Sequence, residues 1–182
     1  MKHEFAARTL NVAAFAANNE SHTGDERLAH FGRLMDESQG LGGETLVAYS
    51  LQGSLQSDAA GKDEPWLHLA ANATLSMVCQ RCLGPVDVPI GFERDFRFVA
   101  TEELAEVEDE ESEEDVLVVS KSFNLLELIE DELLMAMPPV PKHEICPKPV
   151  KLQAVDAAFE EQPSEKPNPF AMLEQLKKKD AG

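Results

Sequence analysis

The middle of the chain alternates between apolar and polar side chains, which is the pattern of half-buried β-strands. The first alternation has its apolar positions at Val47, Tyr49, Leu51 and Leu55. A second runs through residues 67–77 and a third through residues 86–98, with the turn signal Gly84-Pro85 between them. These two long runs predict an antiparallel hairpin, and their length predicts a curved sheet with one covered face.

Helical spacing occurs on both sides of this sheet. Thr23 and Glu26 are spaced as in a capping box, and the apolar residues that follow predict a helix over residues 23–36. Asn124 precedes a stripe that predicts a second helix over residues 124–137, with the stripe at Leu126, Ile129, Leu133 and Met137. The fold class is therefore predicted as α+β, a curved antiparallel sheet with packed helices and a partly disordered C-terminal tail.

Shorter elements complete this pattern. Residues 5–17 are alanine-rich, which indicates a weakly amphipathic helix, and residues 57–65 are predicted as a turn or loop. Residues 116–119 predict one more short strand.

Composition divides the chain near residue 152. Residues 1–152 are predicted to form a single domain, and residues 153–182 a polar linker with a short helical motif. An apolar stripe beyond a polar linker often docks into a groove, although packing back on its own domain is an equal alternative. The candidate partner-binding residues of this motif are Pro169, Phe170, Leu173, Leu176 and Lys177.

The net charge of −18 is concentrated in one segment, because 10 of the 34 carboxylates fall between Glu102 and Asp115. This run is predicted to be a solvated loop, since it has little apolar surface to bury. The acidic balance excludes a broad basic footprint for nucleic acid, so any RNA contact would be confined to small basic spots such as residues 177–179. A basic protein suits such a charge better as a partner.

Several features indicate the reducing cytoplasm and no membrane partner. No stretch approaches the ~20 apolar residues that cross a bilayer, and Glu4, Arg8 and Asn11 interrupt any secretory signal. The three cysteines are an odd number, which does not indicate a disulfide framework.

Two of those cysteines, Cys79 and Cys82, lie at the predicted hairpin turn with the spacing of a zinc knuckle. His143 and Cys146 could complete a set of three thiolates and one imidazole, but Cys82 and His143 are 61 positions apart, which weakens the pattern. The alternation also carries Cys79 to the inner face, where a reduced thiol packs as a small hydrophobe. We therefore expect no cofactor, and a zinc site is the alternative.

No catalytic constellation is evident in the sequence. The five histidines show no spacing that combines a nucleophile, a base and an orienting acid, and His68 is expected on the polar strand face. Glu130, Asp131 and Glu132 could be proposed as acid-base groups, but a solvated helix face is the favoured interpretation. The sequence thus predicts a protein that is not an enzyme.

Three blocks of sequence are more specific together than any of them alone. They are Cys79-Gln80-Arg81-Cys82 before Gly84-Pro85, then Glu130-Asp131-Glu132 leading through Pro138 and Pro141 to His143 and Cys146, and last the segment from Lys166 to Lys177. In their order and spacing they resemble the bacterial YceD family of large ribosomal RNA subunit accumulation proteins.

The resemblance implies a role in the synthesis, processing or stability of the large-subunit (23S) ribosomal RNA. The family has no established catalytic residues to carry over, and its other branches have additional cysteines after the proline-rich exit, where this chain has only Cys146. We therefore expect a non-catalytic accessory factor of large-subunit production. Its partner would be a ribosomal protein, a pre-ribosomal particle or an assembly factor, with direct RNA contact left open. The alternative is a zinc-binding, RNA-contacting module.

Overall fold

The computed structural model describes residues 5–57, 61–110, 112 and 114–147, all within the first of the two units into which the chain divides. These residues form an open, five-stranded mixed sheet in which strand order follows chain order. The strands are β1 (Ser21–Arg27), β2 (Leu46–Ser57), β3 (Asp63–Val78), β4 (Pro85–Val99) and β5 (Asp115–Val118). The first three pairs are antiparallel and β4 pairs with β5 in parallel. The α+β class with dominant antiparallel pairing is therefore confirmed.

Helices cover this sheet mainly on one side. They are α1 (Val12–Ala17), a 3-10 turn (Leu28–His30), α2 (Gly32–Glu37), α3 (Glu102–Asp109) and α4 (Leu125–Met135). Apolar residues of α1, α2 and α4 join the inner face of the sheet in one core, whereas α3 packs with Val99 and Val116 in a small separate cluster. No helix in the described ranges is long and apolar enough to span a bilayer.

The alternation predicted for the central strands is seen in their burial. The inner positions of β3 and β4 include fully buried side chains, among them Leu67, Leu69, Leu75, Phe96 and Phe98. Each such side chain contributes about 1.5–3 kcal/mol relative to an exposed one. Gly53 of β2 admits α1 at close range, because a Cβ there would lie 2.6 Å from Cδ1 of Phe15. The inner face of the sheet thus supplies most of the core.

The predicted helix over residues 23–36 is wrong over its first part. Residues 21–27 form β1, which pairs with β2 from Ser21 opposite Gln52 to Arg27 opposite Leu46. Only the 3-10 turn and α2 are helical, and Thr23 lies within the strand. Pairing with residues 19 to 31 positions later in the chain outweighs the local capping signal, because the ladder supplies a partner to every second residue of β1.

The acidic run is not a solvated loop throughout. Residues 102–109 form α3, whose first turn is capped by the Thr101 hydroxyl accepting from the Leu104 N–H at 3.3 Å. Ala105 is buried, and Arg97 of β4 contacts Glu108 at 2.6 Å. The helix forms because it covers Val99 and gives Arg97 a partner, which the charge count alone does not show.

The other predicted elements shift only at their ends. The turn predicted over residues 57–65 is shorter, because β3 begins at Asp63, and the helix indicated over residues 5–17 is confined to α1. The predicted strand at residues 116–119 is β5, and the second predicted helix is α4. Asn124 occupies its N-cap position without a capping hydrogen bond, and its amide contacts Glu127 instead. The domain boundary near residue 152 lies outside the described residues.

Candidate metal centre

The hairpin of β3 and β4 ends in a tight loop that carries Cys79 and Cys82. The Cys79 N–H donates to the Gly84 carbonyl and the Leu83 N–H donates to the Cys79 carbonyl, both at 2.8 Å. Leu83 adopts φ +57°, a left-handed conformation that is uncommon for a residue with a side chain. This compact loop brings both thiols to the same side of the hairpin tip.

The chain returns to this tip after α4. Residues 138–147, called here the exit segment, pass beside the loop, and the Gln80 N–H donates to the Pro141 carbonyl at 2.9 Å. Pro141 is buried and Pro138 is half-buried. The segment thereby brings His143 and Cys146 to the cysteine pair.

The four side chains converge on one point. Their ligand atoms all lie within 4.8 Å of one another, and Cys82 Sγ is 3.5 Å from His143 Nδ1. In a tetrahedral site with Zn–S bonds of ~2.3 Å the sulphurs are about 3.8 Å apart, so small side-chain movements complete that geometry. We call this group the cysteine cluster. Cys79 is buried, and the other three members are half-buried.

The pKa values of Cys79 and Cys146 are shifted in opposite directions. Burial opposes ionisation of Cys79, but hydrogen bonds from the backbone N–H groups of Cys82, His143 and Arg81 lower the pKa of Cys79 to about 5. Burial and the neighbouring cysteine sulphurs raise the pKa of Cys146. The Cys79 thiolate therefore forms readily, and ionisation of Cys146 is opposed by burial and by charge repulsion that a bound cation would relieve.

The chemistry of this donor set suits zinc. Three sulphurs and one imidazole form a set that Zn²⁺ binds in closed, four-coordinate sites that stabilise structure. A site in which the protein supplies all four ligands has no open position for a water or a substrate. The cysteine cluster can thus hold a structural metal, and it has no arrangement for hydrolysis.

The carboxylates of the second sequence block lie elsewhere, in the middle of α4. Glu130 accepts hydrogen bonds from the Arg33 N–H at 2.7 Å and the Leu34 N–H at 3.3 Å, and its other oxygen contacts the Arg33 guanidinium. Glu130 thereby caps the first turn of α2, where Phe31 provides no side-chain cap. Asp131 is half-exposed and also contacts Arg33.

Glu132 pairs with a different arginine. Its carboxylate lies 3.1 Å from the Arg94 guanidinium, which also contacts Asp115 at 2.9 Å. Burial raises the pKa of Glu132, and the charge of Arg94 opposes that shift. Because Glu130 and Glu132 are 9% and 6% exposed, the interpretation of this helix face as solvated is wrong. We call the two arginines and their four carboxylates the arginine cluster.

Sequence reasoning did not identify Arg33 or Arg94 as parts of this cluster. A signal for Arg94 was present, because it takes the place of an apolar residue between Phe92 and Phe96 in the inward-facing alternation of β4. No comparable signal marks Arg33, whose contacts lie 97 and 98 positions away in the sequence. Its role depends on the packing of α2 beside α4.

The remaining predicted residues divide into two groups. Arg81 is exposed at the hairpin tip, and His68 is half-exposed on the outer sheet face, where its ring contacts Asp95 at 2.8 Å. The candidate partner-binding residues Pro169, Phe170, Leu173, Leu176 and Lys177 lie outside the described residues.

Comparison with known proteins gives one consistent result. The model of the family described as "Large ribosomal RNA subunit accumulation protein YceD" matches residues 67–177, which are 111 of the 182 residues and include the cysteine cluster. A Haemophilus influenzae protein of that name is 34% identical over 107 residues. The match covers 58% of this chain and 61% of that relative, less than two thirds of its length. No solved structure matches the chain significantly.

Proposed function

The chain belongs to the YceD family, and on that premise we propose that it is a non-catalytic accessory factor in large ribosomal subunit production. It would support the accumulation of large-subunit ribosomal RNA by acting on its synthesis, processing or stability. The observation that carries this proposal is the family match over residues 67–177, which spans the central hairpin, α4 and the exit segment.

The chemistry of the motif residues supports a role without catalysis. Glu130 and Glu132, the carboxylates best placed for acid-base work, are taken up by Arg33 and Arg94 and by the start of α2. The cysteine cluster offers four protein ligands and leaves no coordination position for a substrate. These arrangements suit a scaffold that binds a partner.

We further propose that the partner is cytoplasmic and is contacted through protein. It would be a ribosomal protein, a pre-ribosomal particle or an assembly factor. The net charge of −18 supports this choice, since it repels the phosphate backbone of RNA and attracts basic proteins. The acidic residues of α3 are mostly exposed, which leaves this charge available on the surface.

Deletion of the gene, followed by separation of the ribosomal subunits on a density gradient, tests the proposed function. We expect a reduced large-subunit peak and less large-subunit ribosomal RNA, restored when the full chain is supplied. A normal peak with normal ribosomal RNA in the deletion strain would contradict the proposal. As a matched control, supplying the Glu106→Gln variant should restore the peak, because Glu106 lies on the exposed side of α3.

A second candidate function is direct RNA contact at the cysteine cluster. The observation that favours it is the exposure of Arg81 and Lys142 beside the four converging side chains. If it holds, binding of large-subunit RNA fragments should weaken as salt rises, and the double variant Arg81→Ala, Lys142→Ala should reduce the salt slope by about 1 to 2. A slope unchanged in that variant would rule out RNA contact through these two side chains.

A further inference from the structure

We propose that Zn²⁺ bound by Cys79, Cys82, His143 and Cys146 is a structural staple that holds the exit segment against the hairpin tip. The inference concerns how this end of the domain is built. It goes beyond the proposed function and does not depend on it, so a normal ribosome profile in a deletion strain would leave it intact.

The first step is that the hairpin tip forms half of the site by itself. The two loop hydrogen bonds of Cys79 hold its backbone between the ends of β3 and β4, whose register closes with Val78 opposite Pro85. Both thiols therefore belong to a loop fixed by the sheet. Leu83 is held in its left-handed conformation and is 76% exposed, so it contributes little packing to the tip.

The second step is that the exit segment has few attachments of its own. Among hydrogen bonds between backbone groups of the described residues, one joins it to the hairpin, from Gln80 to Pro141. Pro141 is its buried side chain, whereas Ile145 is 88% exposed and Val140 is 54% exposed. The His143 N–H adds a hydrogen bond to the Cys79 thiol, which is itself part of the cluster. Ordering ten residues costs conformational entropy that these two hydrogen bonds and one buried proline offset only in part.

The third step is that the ligands bridge these two parts in equal number. Two thiols come from the tip and a thiol with an imidazole comes from the exit segment, and all four ligand atoms lie within 4.8 Å. A metal joining ligands 61 positions apart closes a long loop, which makes the crosslink effective in ordering the chain. Soft thiolates with one imidazole select zinc over magnesium or calcium.

The experiment uses the full, untagged chain in a thiol-free reductant, so that no disulfide can hold the segment. The protein is stripped with a chelator, reloaded with Zn²⁺ and digested briefly with trypsin. We expect cleavage after Lys142 to be slowed about tenfold or more by zinc. Cleavage after Lys121, an exposed lysine outside the site, should not change.

Two variants separate the metal from the fold. Cys146→Ser and His143→Ala change half-buried side chains of the exit segment and spare the sheet, so both should fold and lose protection at Lys142. His68→Ala removes a histidine that contacts two carboxylates outside the site, and it should keep the protection. Zinc binding without protection at Lys142 would overturn the staple, and protection in the Cys146→Ser variant would overturn the ligand set. A stripped protein that takes up no zinc would overturn both.

Discussion

One cluster of polar side chains lies at the middle of α4 and another lies beyond its end, and the two differ in how their charges are balanced. The arginine cluster, at the middle of the helix, sets Arg33 and Arg94 against carboxylates, so opposite charges come from the chain itself. The cysteine cluster, beyond the end of the helix, gathers three thiols beside an imidazole, and no arginine or lysine of the described residues balances the negative charge that thiolates would carry there. We therefore expect the first cluster to stabilise the fold without a ligand and the second to do so only when a cation is bound, although both contain residues of the same sequence block.

The largest expected effect is at the cysteine cluster. If zinc binds the native state, removing it should lower the free energy of unfolding by about 4 kcal/mol when free zinc was about a thousand times the dissociation constant. Urea unfolding in reductant, with and without a chelator, measures this difference. The chelator should have little effect on the Cys82→Ser variant, and an equal loss in that variant would place the metal elsewhere.

The next effect is at Glu130 in the arginine cluster. Glu130→Ala removes the cap from α2 and a partner from Arg33, and it should lower the free energy of unfolding by about 2–3 kcal/mol. Asp131→Ala is a matched control, because Asp131 contacts the same arginine from a half-exposed position and should cost less than about 1 kcal/mol. Urea unfolding of both variants checks the order. Equal costs would show that capping by Glu130 contributes nothing.

A smaller effect is expected at Arg97, which contacts α3. Arg97 lies 3.0 Å from buried Glu64 and 2.6 Å from Glu108, so Arg97→Met leaves Glu64 with Lys62 and should cost about 2 kcal/mol. Glu106→Gln on the exposed side of α3 should change stability by less than about 0.5 kcal/mol. Thermal unfolding at matched pH would contradict this contrast if the two variants shifted the midpoint equally.

The smallest effect is the pH dependence of Glu132. Its pKa is raised in the folded state, so the folded protein holds that proton more tightly than the unfolded chain. The stability it contributes is present at low pH and is lost as pH rises through the folded pKa. The free energy of unfolding of Glu132→Gln should therefore rise relative to that of the wild type as pH rises above about 4.3, the ordinary pKa of Glu. We expect the difference to stay below about 1 kcal/mol, because the charge of Arg94 stabilises the ionised Glu132. Unfolding curves from about pH 4 to about pH 8 measure this difference. A variant that becomes less stable relative to the wild type as pH rises would contradict the prediction.

The parts that sequence predicted well are those whose signal is local. The alternation through β3 and β4 and the apolar stripe of α4 require only neighbouring positions, and the structure confirms all three elements. The errors occur where a distant partner decides. Residues 21–27 become a strand because β2 is available, and α3 forms because it covers Val99 and contacts Arg97.

The candidate site shows the same limit. The spacing of Cys79 and Cys82 was readable, but their meeting with His143 and Cys146 depends on α4 directing the exit segment back to the hairpin tip. Likewise, the charge of Glu130 was visible in the sequence, whereas its burial depends on α2 packing beside α4. In both cases the sequence shows which residue types are present, whereas the fold determines which residues they contact.

The proposed zinc binding at the cysteine cluster is tested most directly by the zinc content of the purified, untagged chain, measured by native mass spectrometry. We predict about one zinc per chain in the wild type and in Glu130→Gln, which alters only the arginine cluster, and less than about a tenth in Cys146→Ser. Wild-type chain without zinc, or the same zinc content in Cys146→Ser, would contradict the division of the two clusters into one balanced by the chain's own charges and one that binds a metal.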